Sequence, residues 1–133
     1  MPTLPEPFET RSFRFACAIV RLYLDISRKP NVPRHLARQV LAAGTSIGAN
    51  LEEARACQSR RDITAKFSIA LKEARETLYW LRLLQATELL PADAVSTLAR
   101  EANELIAILT VTRRRLAAPQ DQGIRSTRRR TSE

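Results

Sequence analysis

Two glycines lie inside a stretch that otherwise has the pattern of a continuous amphipathic helix, and they constrain the fold more than any other feature. Gly44 and Gly48 belong to the small-residue run AAGTSIGA at residues 42–49, and the apolar spacing continues in phase through both. Each glycine costs about 1 kcal/mol relative to alanine in a helix interior. We therefore expect a neighbouring helix to pack closely against this seam, because a bare backbone lets side chains approach the helix axis.

Apolar periodicity and proline positions predict four helices joined by short connections. They are expected over residues 12–28, from Pro33 to about residue 58, over residues 62–86 with Asp62 as the N-cap, and from Pro91 to about residue 116. Short connections make consecutive helices antiparallel. The predicted fold class is therefore all-α, an antiparallel up-and-down four-helix bundle over residues 12–118.

The two ends of the chain have a different composition from the helices. Residues 1–11 contain Pro2, Pro5 and Pro7 and are expected to form an irregular lead-in. Residues 119–133 are polar and rich in arginine, and we expect a basic disordered tail.

Helix one carries two apolar stripes on nearly opposite sides. The first is expected to face the core and consists of Phe15, Ile19, Leu22 and Ile26; the second consists of Phe13, Cys17, Val20 and Leu24. Helix three also has apolar residues outside its inner face, although fewer of them; they are Ile69, Trp80 and Leu83. Because a helix that is apolar on two sides must bury both, these seven residues predict an interface between copies of the chain. The alternative is that the N-terminal segment or a helix of the same bundle covers them.

The formal net charge is +8, and arginine supplies most of the 22 basic residues. Arg14, Arg21 and Arg28 recur every seven residues, which makes a row about 21 Å long on helix one. Guanidinium groups bind phosphate well because their planar fork donates two hydrogen bonds at once. The candidate nucleic-acid-binding residues are Arg14, Arg21, Arg28, Arg34, Arg38, Arg60 and Arg61. The alternative is a solvated face with ion pairs such as Arg21 with Asp25.

The sequence contains no pattern that indicates catalysis or a cofactor. His35 is the one histidine, and no glutamate stands three residues before it, so the carboxylate–histidine pairs of metal-binding bundles are missing. Neither Cys17 nor Cys57 has the pattern of a redox or zinc motif. No apolar run is long enough to span a bilayer and no signal peptide is apparent, which favours a cytoplasmic protein.

Two segments resemble a known protein family. They are TSIGANLEEA at residues 45–54 and FSIALKEA at residues 67–74, the second followed by ETLYWL at residues 76–81. They are similar to the bacterial four-helix bundle proteins whose founding members are encoded in intervening sequences of large-subunit ribosomal RNA genes. Glu52 and Ala54 stand where members of this family carry a small residue and a glycine.

The resemblance implies a homopentameric ring of antiparallel bundles. It also implies kinship with the accessory variability determinant of diversity-generating retroelements, a basic relative that binds a reverse transcriptase and nucleic acid. Together with the charge, this favours a non-enzymatic oligomeric bundle, a scaffold or accessory factor that binds RNA or DNA without sequence specificity. The alternative function is an oligomeric scaffold that binds a protein partner and has no nucleic-acid role.

Overall fold

The computed structural model describes residues 6–119, and these residues form four α-helices in an antiparallel bundle. They are α1 (Phe8–Ser27), α2 (Arg34–Ala56), α3 (Arg60–Ala86) and α4 (Ala92–Ala117). Each helix packs against its neighbours in sequence, and α1 also contacts α4. The predicted all-α fold class is therefore confirmed. Apart from Pro119, the predicted basic tail lies outside the described residues.

Helix α1 begins at Phe8, four residues earlier than predicted, so the expected irregular lead-in over residues 1–11 is too long. The carbonyl of Pro7 accepts the first helical hydrogen bond, from the Arg11 N–H at 3.0 Å. The Phe8 ring packs against Phe67 of α3, with ring centroids 5.8 Å apart. This tertiary contact stabilises a first turn that the local sequence leaves undecided.

The N-cap of α3 is Ser59 and not Asp62. The Ser59 hydroxyl oxygen accepts the Asp62 backbone N–H at 3.0 Å, and the helix begins at Arg60. Serine is one of the best N-cap residues, while the Asp62 carboxylate in the first turn complements the positive end of the helix dipole. Pro33 and Pro91 likewise precede the first residues of α2 and α4 by one position.

Helix α2 continues without a break through the glycine seam, and α1 packs directly against it. A Cβ atom built on Gly44 would lie 2.8 Å from both Cγ1 and Cγ2 of Ile19, closer than real side chains approach. One built on Gly48 would lie 3.5 Å from the Ser12 carbonyl oxygen, an ordinary van der Waals distance. The close approach predicted from the two glycines is therefore confirmed, and Gly44 is the position that requires it.

The core is one cluster to which all four helices contribute. Its largest fully buried apolar side chains are Ile19, Ile26, Val40, Ile47, Leu81, Leu84, Val95, Leu105 and Leu109. The predicted inner stripe of α1 is buried throughout. None of the four helices within residues 6–119 combines the length and apolarity needed to cross a membrane.

The bundle is least extensively packed between α1 and α4, where an ion-pair cluster joins the two helices. The Arg11 guanidinium donates from Nε to Glu101 at 3.0 Å and also contacts Glu104. Burial lowers the pKa of Arg11, but hydrogen bonds and charge from both glutamates outweigh it and raise that pKa above its usual value. This cluster therefore stabilises the contact between the start of α1 and the middle of α4.

Substitutions at the two glycines are expected to have opposite effects on stability. Gly44→Ala forces a methyl group onto the fully buried Ile19, and we expect it to lower the free energy of unfolding by about 1–2 kcal/mol. Gly48→Ala adds a methyl group at an ordinary contact distance and should raise the free energy of unfolding by about 0.5–1 kcal/mol. Urea unfolding followed by circular dichroism measures both, and equal effects would contradict the seam described above.

Candidate functional site

The second apolar stripe of α1 lies on the outside of the bundle. We call Phe13, Cys17, Val20 and Leu24 the outer stripe. Phe13 is 71% exposed, Leu24 51% and Val20 40%, whereas Cys17 is half-buried. Three of its four residues are thus exposed among the described residues, and burial of the stripe by a second copy stays a prediction.

Small residues of α2 extend the outer stripe into a broader apolar face. A groove of about 380 Å³ lies between α1 and α2. It is lined by Glu9, Phe13, Ala16, Thr45, Gly48, Ala49, Leu51 and Glu52. The groove exists because the small residues of α2 leave space beside the Phe13 ring. The apolar face therefore belongs to two helices, a feature that the stripe on α1 alone does not indicate.

The three interface candidates on α3 differ in their exposure. Ile69 is 40% exposed, whereas Trp80 and Leu83 are half-buried and pack against the core. The Trp80 indole N–H donates to the Glu76 carboxylate at 3.2 Å. Neighbouring residues of the same chain therefore cover Trp80 and Leu83 in part, and Ile69 is the predicted α3 position that lies most open.

A basic pocket of about 360 Å³ lies where α1 ends and α2 begins. Its lining residues are Tyr23, Ser27, Arg28, Lys29, Pro30, Val32, Ala37, Arg34 and Arg38. Three of the predicted arginines thus meet at one place, and Lys29 joins them from the turn. None of these lining residues is acidic. Lys29 does not share the helical spacing of the predicted arginines, although it directly follows Arg28 in the sequence.

The first turn of α2 adds to the positive potential of the basic pocket. The N-cap residue Pro33 offers no side-chain hydrogen bond to the first-turn amides, and this turn contains no acidic residue. The first helical hydrogen bond runs from the Ala37 N–H to the Pro33 carbonyl at 3.1 Å. The preceding N–H groups form the positive end of the helix dipole, and an arginine beside them is unfavourable unless an anion is near.

The other four predicted arginines have different surroundings. Arg21 is exposed and borders a second groove, between α1 and α4, into which Arg28 and Lys29 also extend. Within the described residues Arg21 forms no ion pair with Asp25, whereas Arg14 pairs with Glu6 at 2.7 Å. Arg60 and Arg61 lie at the opposite end of the bundle. The structure therefore does not bring the seven arginines together into one surface.

Arg60 already has backbone partners within the bundle. Its guanidinium donates from Nε to the Leu116 carbonyl oxygen and from a terminal nitrogen to the Arg115 carbonyl oxygen, each at 2.8 Å. These carbonyls belong to the last turn of α4, where helical partners are missing and a positive charge complements the dipole. Arg60 therefore caps α4 and is less available for phosphate than the arginines of the basic pocket.

Most acidic side chains that could serve as a general acid or base form ion pairs. Glu101 and Glu104 contact Arg11, as described above, and Glu53 pairs with Lys66 at 2.5 Å. Glu73 is different, because burial and the nearby charge of Glu76 raise its pKa while Lys72 lowers it in part. Within residues 6–119 there is no group of three or more histidine, cysteine, aspartate or glutamate side chains placed to hold a metal ion.

Comparisons with known proteins identify a family and a structural relative. The model of the 23S rRNA-intervening sequence protein family matches residues 9–111. A crystal structure from Bacteroides thetaiotaomicron, described as a protein of unknown function from the S23 ribosomal protein family, is 38% identical with a TM-score of 0.74. The alignment covers 78% of this chain and 95% of that one. A comparison with curated proteins gives no match.

The contacts of Arg60 predict that it stabilises the bundle. Arg60→Ala removes both hydrogen bonds to the end of α4 and should lower the free energy of unfolding by roughly 1 kcal/mol. The matched control is Arg61→Ala, because Arg61 is the adjacent exposed arginine and has no hydrogen bond or ion pair among the described residues. Its effect should stay within about 0.5 kcal/mol. Equal urea midpoints for the two variants would contradict the capping role.

Proposed function

The chain belongs to the family of 23S rRNA-intervening sequence proteins, and from this membership we propose that it is a non-enzymatic, oligomeric scaffold or accessory factor that binds nucleic acid. The observation that carries the nucleic-acid part is the basic pocket, whose lining contains four cationic residues and no acidic one. Neither the family description nor that of the structural relative names an enzymatic activity.

The chemistry of the pocket fits the sugar–phosphate backbone better than the bases. Arginine donates paired hydrogen bonds to phosphate oxygens, and neutralised phosphates release their counterions, which drives binding at low salt. Sequence readout requires side chains that reach base edges, and single strands are often bound by several stacked aromatic rings. Tyr23 is the one aromatic residue of the pocket lining. We therefore propose binding without sequence specificity, with RNA and DNA both as candidate ligands.

Oligomerisation through the outer stripe would strengthen such binding. Arg14, Arg21 and Arg28 follow one flank of the stripe on α1, so copies that meet at the stripe would bring several arginine rows close together. Linked weak sites act as one stronger site because later contacts are intramolecular. We take the homopentameric ring implied by the family resemblance as the expected assembly. Two free cysteines, Cys17 and Cys57, are compatible with the reducing cytoplasm that we propose as its location.

A protein partner is the second candidate, and the groove between α1 and α2 favours it. An exposed apolar face with a groove of about 380 Å³ is more typical of protein interfaces than of phosphate binding. In this alternative the chain is an oligomeric scaffold whose arginines confer solubility or attract acidic proteins. Direct binding measurements with nucleic acid separate the two candidates.

Binding to RNA and DNA should depend steeply on salt and little on sequence. We expect the logarithm of the association constant to fall linearly with the logarithm of salt concentration, with the same slope for unrelated sequences. Replacing Arg34 and Arg38 together by glutamine should reduce that slope by about two, one for each phosphate contact. Arg100→Gln, an exposed arginine on α4, is the control. Fluorescence anisotropy measures these values, and the absence of binding at low salt would favour the protein-binding alternative.

Assembly should depend on the outer stripe. Val20→Asp places a charge on the stripe, and we expect smaller particles in size-exclusion chromatography with light scattering while helicity is retained. Val111→Asp is the matched control, because Val111 has a similar exposure of 47% but lies on α4 outside the predicted interface. If both variants keep the mass of the parent protein, the outer stripe does not hold the subunits together.

A further inference from the structure

We propose that the basic pocket is a site for a terminal phosphate group, the phosphomonoester at the end of a nucleic-acid strand or on a free nucleotide. This inference rests on the proposed function and makes it more specific, because it distinguishes a chain end from the internal phosphates that general binding involves. Four features of the pocket support it, namely its charge, its shape, the rigidity of the segments that form it and the start of α2 beside it.

The charge of the pocket exceeds what one internal phosphate requires. An internal phosphodiester carries a single negative charge, whereas a phosphomonoester carries about 1.5 to 2 at neutral pH and offers three strong acceptor oxygens. Arg28 and Lys29 approach from the end of α1, and Arg34 and Arg38 from the first turns of α2. Four cations without an acidic neighbour in the lining match the more highly charged group.

The shape of the pocket also favours a chain end. It is a concavity of about 360 Å³ at the end of the bundle, bounded on one side by the turn that contains Pro30 and Val32. This volume is near the lower limit for small-molecule sites. A terminal group can enter such a concavity from one side, and it needs no path for the strand beyond the pocket. Isolated charged side chains on an exposed helix face would not distinguish a chain end from an internal phosphate.

The segments that carry the cations are held in place by the fold. The Lys29 N–H donates to the Ile26 carbonyl at 3.1 Å, and the Val32 N–H donates to the Lys29 carbonyl at 3.2 Å. Val32 is buried in the core, and Asn31 donates from its amide to the Leu89 carbonyl at 3.4 Å. Because this turn is anchored at both ends, little conformational entropy is lost when it binds a ligand. A small site needs this low entropy cost to bind tightly.

The first amides of α2 add the positive end of the helix dipole to the charge of the basic pocket, which Arg34 lines at the start of that helix. They precede the first helical hydrogen bond, at Ala37, and the N-cap Pro33 provides no side-chain partner for them. Phosphate oxygens are well suited to such groups, because they accept the hydrogen bonds and carry the charge that the helix dipole favours. The arginines and the amides therefore point to the same ligand chemistry.

A comparison of strand ends tests the inference. One short single-stranded oligonucleotide is prepared with a 5′-phosphate, with a 3′-phosphate and with hydroxyl groups at both ends, and its binding is measured at one ionic strength. At least one phosphate-ended form should bind roughly tenfold or more tightly than the hydroxyl-ended form. Arg38→Gln should remove most of this preference, whereas Arg55→Gln should keep it. Both arginines lie on α2 and both variants lose one charge, but Arg55 is in the last turn of the helix, at the far end of the bundle.

The outcomes separate this inference from the function on which it rests. If all three forms bind equally well, the terminal-phosphate site is wrong and general nucleic-acid binding stands. If no form binds at low salt, the proposed function is wrong, and the pocket inference falls with it. Loss of the preference in both Arg38→Gln and Arg55→Gln would also overturn the inference, because net charge would then explain it. Competition with adenosine 5′-monophosphate distinguishes a strand end from a free nucleotide as the ligand. It should compete as well as the phosphate-ended strand only if the pocket is a free-nucleotide site.

Discussion

The fold depends on the contact between Ile19 of α1 and the bare backbone of Gly44 in α2. Because no side chain separates the two helices there, Ile19 is fully buried and α1 is fixed in rotation about its own axis. The rotational orientation of α1 that directs the inner stripe into the core also directs the outer stripe, on the opposite side of the helix, toward solvent. Exposure of the outer stripe is therefore a geometric consequence of core packing.

The positive charge of the molecule is organised by the fold and not spread evenly. Near the starts of α1 and α3, glutamates pair with cations, as at Arg11 and Lys66, and these charges contribute to packing between helices. Where α1 turns into α2, cations gather without acidic partners, and the start of α2 adds its dipole to them. The net charge of +8 thus has a local excess that is accessible to an anion.

The sequence predicts the number and order of the helices and the inner face of α1 well, because apolar spacing records directly which positions are buried. It misplaces the start of α1, since the first turn depends on the Phe8–Phe67 contact between distant segments. The grouping of the arginines is only partly predictable. Spacing along α1 aligns Arg28 with residues of its own helix, but the turn after α1 brings it close to arginines of α2. Arg60 contacts α4 because the start of α3 lies beside the end of α4.

The contact at Gly44 also has an evolutionary consequence. Any larger residue at this position would require a smaller one at position 19, and a smaller residue at position 19 alone would leave a cavity in the core. Each single change is therefore harmful while the pair of changes together can be tolerated. The two positions form an epistatic unit, and a lineage can leave the present pairing one substitution at a time only through a less stable intermediate.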